Sequence, residues 1–189
     1  MREDRKYMIC CIIGHTPKEF PFPYEENSDL YCEYCDVLSN EVEILLKHGY
    51  DYFILGADEG TDFDIYDCLW KFCQYSIWKE VICWEIALAN PIPIVKQLTG
   101  VELERNDMMM KSEKVYIAAP HFEKDCVQKR DQYMIDNADI VLFVWNGIRK
   151  GRVWNAIQYA RKHQKTIHYI MLQDIERYSY EDFTGLRLK

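Results

Sequence analysis

Ile140-Val141-Leu142-Phe143-Val144-Trp145, followed by Asn146-Gly147, decides the fold. Six apolar residues with β-branching, closed by a turn pair, read as a strand buried on both faces. Working outward, Arg152 to His163 carries a helical pattern, and Thr166 to Met171 is another short apolar strand. Upstream, Glu123 to Asn137 reads as a helix with Val127, Met134 and Ile135 on one side. Before it, Val115 to Ala119 is a strand ending at Pro120.

The N-terminal half repeats the alternation. Met8 to Ile13 (MICCII) is a strand ending at Gly14. Leu30 to His48 is a helix with Val37, Leu38, Val42, Leu45 and Leu46 at helical spacing, capped by Ser28 or Asp29 and closed by Gly49. Tyr52 to Leu55 is a strand, Asp62 to about Ser76 a helix, and Val81 to Leu88 a strand stopped by Pro91 and Pro93. A broken helix is expected around 93 to 110, and a polar, peripheral tail after 171. Strands alternating with helices predict an α/β fold: a Rossmann-like three-layer sandwich with a mostly parallel sheet. No linker or internal repeat interrupts it, so one domain over 1–189, with its core at about 8–171, is expected. Ligands of such sheets bind beyond the carboxyl ends of the strands.

Lys and Arg number 23 against 31 Asp and Glu, a net charge of −8. That argues against a protein that coats nucleic acid, because phosphate binding runs on cations displacing counterions. The run Arg149-Lys150-Gly151-Arg152 with Arg161-Lys162 is too small to reverse this. The charged N-terminus has no signal-peptide core, and the apolar stretch 81–95 is too interrupted to span a bilayer. A cytoplasmic protein with no membrane partner is expected. The eight cysteines then read as reduced, mostly buried thiols. Cys32-x-x-Cys35 has no second pair at zinc spacing, so no metal and no cofactor is expected.

Three strand ends carry the chemistry: Gly14-His15-Thr16-Pro17, Gly56-Ala57-Asp58-Glu59-Gly60-Thr61-Asp62, and Asn146-Gly147-Ile148-Arg149-Lys150-Gly151-Arg152. Glycines there admit close backbone approach and expose N–H groups at helix starts, an anion site. Residues 14 to 29 form a long loop with three prolines over the first strand. Its Phe20, Phe22 and Tyr24 are expected to stack on a base rather than join the core, and Trp145 to be half core, half pocket wall. His15 either reaches a ligand or stabilises its turn. His121, at a helix start, is a weaker candidate; His48, His163 and His168 are read as structural.

These motifs carry a family resemblance. GHTP (14–17) resembles the GHRP of the YpsA-like proteins of the SLOG superfamily, which unites the DprA/Smf fold with LOG phosphoribohydrolases. GADEGTD (56–62) resembles that family's GGAxGVD. KRDQYMIDNADIVLFVWNG (129–147) is similar to RNxxMVDxSDxLIAVWDG, and NAIQYARKHQKTI (155–167) to NTVRYAKKKGKPV. The matches fall in order and cover most of 8–171.

The resemblance implies a pocket for a nucleotide or nucleotide derivative, ADP-ribose-like in kind. Gly14, His15, Gly56, Gly60, Asp62, Arg130, Asn146, Gly147, Gly151 and Asn155 fall on its motifs. Arg130 resembles the arginine that LOG enzymes set before the fifth strand. Departures matter. Where the family has GGT this chain has Gly151-Arg152-Val153, which loses a hydroxyl and brings a guanidinium able to meet phosphate or to cap off the pocket. The PGGxGTxxE glutamate has no counterpart. Ala57 replaces a glycine, and Asp58-Glu59 add negative charge.

Chemistry, where present, would be cleavage of a ribosyl N-glycosidic bond, with Asp62 or Glu59 as the carboxylate facing the oxocarbenium charge. The structural alternatives are Asp62 as a helix cap and Arg130 as an ion pair. The competing function is a regulatory or signal-sensing protein that keeps the fold and lacks turnover. Oligomeric state stays open: the aromatic-rich segment 66–84 serves either as an interface in a homo-oligomer or as core.

Overall fold

A computed structural model describes residues 7–75, 77–78, 80–91 and 100–177. The strands described are β1 (Met8–Ile13), β2 (Tyr50–Leu55), β3 (Cys83–Leu88), β4 (Lys114–Ile117), β5 (Ile140–Trp145) and β6 (Thr166–Met171). All pair in parallel, in the order β4-β3-β2-β1-β5-β6. The helices are α1 (Asp29–Lys47), α2 (Thr61–Tyr75), α3 (Val101–Met110), α4 (Cys126–Asp136) and α5 (Gly151–Lys162). The expected Rossmann-like α/β architecture is present.

The layers follow from strand order. From β1 to β4 the chain steps one way along the sheet, so right-handed crossovers put α1, α2 and α3 on one face. It then returns from the β4 edge to β5 beside β1, which puts α4 and α5 on the other. Alternation along the strands matches. Cys10, Ile12, Phe53 and Leu55 pack with Leu38, Leu45 and Leu69, whereas Cys11, Ile13, Ile54 and Phe143 pack with Ile135, Val153 and Ile157. β5 is buried at every residue because both helix layers cover it. The order reverses between β1 and β5, and the crevice for a ligand is expected above that point.

Several expectations need correction. Phe20 and Phe22 are only 9% exposed; Phe20 packs edge-on against both Phe22 and Tyr34, and Phe22 lies tilted against Tyr34. Tyr24 joins them and turns its hydroxyl to Asp64, so these rings are core rather than a stacking platform. The loop folds back through a 3-10 turn at Pro17–Glu19, which carries the rings onto α1. The tail does not leave the body at 171: Leu172–Arg177 forms a 3-10 turn whose Leu172 and Ile175 are buried with the α1 core. α4 begins at Cys126, so exposed His121 lies in a loop and not at a helix start.

The expected helix around 93–110 is described from Val101; residues 92–99, Ser76 and 178–189 lie outside the described residues. Among the described residues no helix is long and apolar enough to cross a membrane. All eight cysteines are free thiols, and six are buried.

Candidate functional site

The loops after β1 and β2 interlock. A Cβ at Gly14 would collide with the Thr61 side chain, and one at Gly56 with the Asp62 carboxylate. Thr61 donates both N–H and Oγ1–H to His15 O, each at 3.1 Å, which clips α2 to the first loop. Gly14 therefore admits the neighbouring loop, and Gly56 admits the first turn of α2 behind its own loop. His15 is 3% exposed, and burial lowers its proton affinity despite Glu19 nearby. Its Nδ1 stands 3.4 Å from Glu19 Oε2, and among the described residues neither ring nitrogen has a hydrogen-bond partner.

Next to this joint lies a network of buried charge. Arg130, 2% exposed, donates from Nε and Nη2 to Asp131 Oδ1 at 3.1 and 3.0 Å, and from Nη1 to Asp58 Oδ2 at 2.6 Å. Arg152 donates from Nη1 to both oxygens of Asp131 at 3.2 Å, and from Nη2 to Gly14 O. Asp62 Oδ2 accepts the Asp58 N–H at 3.0 Å. Arg105 donates Nε–H to Ala57 O at 2.6 Å. Arg130 of α4 and Arg152 of α5 thus pair with the carboxylates of Asp58 and Asp131, and Asp62 of α2 and Arg105 of α3 bond to the loop beside them.

Burial and the neighbouring arginines pull the titration of these acids in opposite directions. Burial pushes the Asp62 carboxyl up to about 6, with Arg130 pulling against it and the Asp58 charge adding to it. Burial also acts upward on Asp58, but Arg130, then Arg152 and Arg105, hold it below the usual carboxylate range. Arg130 stays cationic, since Asp131, Asp58 and Asp62 outweigh its desolvation.

Gly14, His15, Gly56, Gly60, Asp62, Arg130 and Arg152 come together in this joint. Asn146 and Gly147 serve the turn beside it. Asn146 donates Nδ2–H to Glu19 O and accepts Ile148 N–H, each at 3.0 Å, and Gly147 leaves room for Gln173. Trp145 spends its indole N–H on Ile148 O at 3.1 Å and stacks on Trp154. Gly151 and Asn155 line a separate groove of about 340 Å³ between α4 and α5, and Asp131 and Arg152 line it too. Glu59 is exposed.

A smaller cleft of about 150 Å³ opens at the ends of β2 and β3, against Asp58, Arg105 and Arg130. Sequence reading missed Asp131 and Arg105. Asp131 follows Arg130 in an otherwise ordinary helix, and Arg105 lies in a weakly patterned segment; neither carries a local signal.

Three histidines away from this rim each have a partner. His48 contacts Ile44 O at 2.8 Å, His163 stacks on Tyr159, and His168 meets Glu41 at 2.8 Å. Among the described residues no group of His, Cys, Asp and Glu could hold a metal ion. Compared with known proteins, the chain matches no family model and no curated protein.

Proposed function

We propose that the chain is a cytoplasmic nucleotide-binding or nucleotide-derivative-binding protein of the YpsA-like type. The observation that carries this reading is the convergence of the loops after β1, β2 and β5 on one rim, at the point where strand order reverses. Small ligands of parallel sheets bind at such a rim. The candidate ligands are a nucleoside monophosphate, ADP-ribose or a cyclic relative. Two of the three guanidiniums, Arg130 and Arg152, are already paired with carboxylates, a balance that suits a small ligand rather than a polyanion.

A panel of nucleotides tested by thermal denaturation examines this directly. A ligand at 100 times its Kd adds about 2.7 kcal/mol of stability. No stabilisation across the panel would overturn the reading.

Binding without turnover is favoured over hydrolysis by the setting of Asp62. Asp62 is 7% exposed, and its carboxylate accepts the Asp58 N–H and fills the space beside Gly56. It props the loop. Labelled nucleotides incubated with the protein should release no free base. Release that disappears in Asp62→Asn would instead establish cleavage of a ribosyl N-glycosidic bond.

A further inference from the structure

The cleft at the ends of β2 and β3 is bounded by Ala57 and Asp58, the 88–91 turn, Arg105 and Arg130. At about 150 Å³ it is too small for a whole nucleotide, whose pockets start at about 300 Å³, but it admits one compact group. Its polar walls are Asp58, Asn90 and two arginines on different helices.

Arg105 is anchored by a single bond. Nε donates to Ala57 O at 2.6 Å, which sets the plane of the guanidinium. Neither terminal nitrogen has a partner among the described residues. An arginine held at Nε keeps its terminal pair ready for a two-oxygen acceptor.

Arg130 is 3% exposed at its side chain, yet the Asp58 carboxylate on its Nη1 is 45% exposed. Asp131, on its other edge, is 5% exposed. The two bonds differ in kind. Asp131 is locked in by Arg152 as well, whereas Asp58 sits on a surface turn where water competes for it. Asp58 occupies a cation that faces the cleft.

We propose that this cleft is an oxyanion subsite: Arg105 and Arg130 hold the phosphate or carboxylate end of a small ligand, and Asp58 is the internal counter-ion that the ligand displaces from Arg130. This rests on the rim being a ligand site, but not on the ligand being a nucleotide. Asp131 stays in place and keeps Arg130 oriented during the exchange.

The test is calorimetric titration of the full chain with orthophosphate and, separately, malonate, at constant ionic strength. Melting temperatures report that each variant is folded. Arg105→Gln is expected to weaken binding of the preferred anion about tenfold or more, the loss of one charged two-point contact. Arg105→Lys, which keeps the charge without the fork, should fall between. Asp58→Asn removes the competing carboxylate and should tighten binding about tenfold. Preference for phosphate or for malonate supports the subsite and names the group it takes.

Equal binding by wild type and Arg105→Gln overturns the proposal, as does no binding of either anion. Weaker binding by Asp58→Asn overturns the role given to Asp58. Nucleotide binding untouched by Arg105→Gln would leave the nucleotide reading standing and sink this one. Phosphate binding that needs Arg105, without any nucleotide binding, would do the reverse.

Discussion

Asp62 and Asp64 stand two residues apart on α2, and burial pushes both carboxyls up to about 6, yet they live in different chemical settings. Residues two apart on a helix do not share a face. Asp62 turns to the rim, among Arg130, Arg152 and Asp58. Asp64 turns toward α1 and the first loop, where three phenols donate to it: Tyr24 at 2.6 Å, Tyr31 at 2.8 Å and Tyr34 at 3.2 Å. One region is built from opposed charges that share acceptors. The other is a single charge solvated by neutral hydroxyls, standing in for water. In the first, deleting a member strands a buried charge; in the second, each donor is one of three.

The sharpest way to break this contrast is Arg130→Ala. It leaves Asp131 and Asp58 without their central cation and should cost about 3–5 kcal/mol in urea denaturation. A loss under 1 kcal/mol would mean that the rim charges are solvated independently. Gly56→Ala drives a Cβ into the Asp62 carboxylate and should cost about 2–3 kcal/mol, because the buried side chain has little room to yield.

Proton linkage sharpens the other side. Asp64 binds a proton more tightly folded than unfolded, so between about pH 4 and 6 the folded chain holds more protons. Stability contributed by this group therefore falls as pH rises through that window. From pH 5 to 7 the loss is about 1 kcal/mol. Asp64→Asn does not titrate, so its stability should fall less than wild type's by that amount. His15 acts in the opposite sense, since the unfolded chain takes up its proton first as pH falls. The difference between variant and wild type isolates Asp64 from it. Identical pH slopes would show that Asp64 is not the titrating group.

The smallest effect is expected for Tyr24→Phe, which removes one of three donors and should cost about 1 kcal/mol or less. A loss like that of Arg130→Ala would erase the distinction between the two regions.

Much of the architecture is legible in residue pattern. IVLFVW and MICCII announce buried strands because both sheet faces are covered, and Gly49 marks a helix end. The turn glycines mark the rim. What Gly14 approaches is not legible, since it meets Thr61 only once two loops are brought side by side. The aromatics of the first loop mislead for the same reason. Next to a glycine turn they look like a stacking platform, but the loop length lets them fold onto Tyr34.

By itself the sequence determined that strands and helices alternate, that the central strands are buried, and which turns lie at strand ends, because these depend on neighbours within a few residues. Only the tertiary structure decided that Arg130 spends its charge on Asp58 and Asp131, and that Arg105 comes beside it. Those partners are brought together by strand order, across separations in the chain that no local pattern encodes.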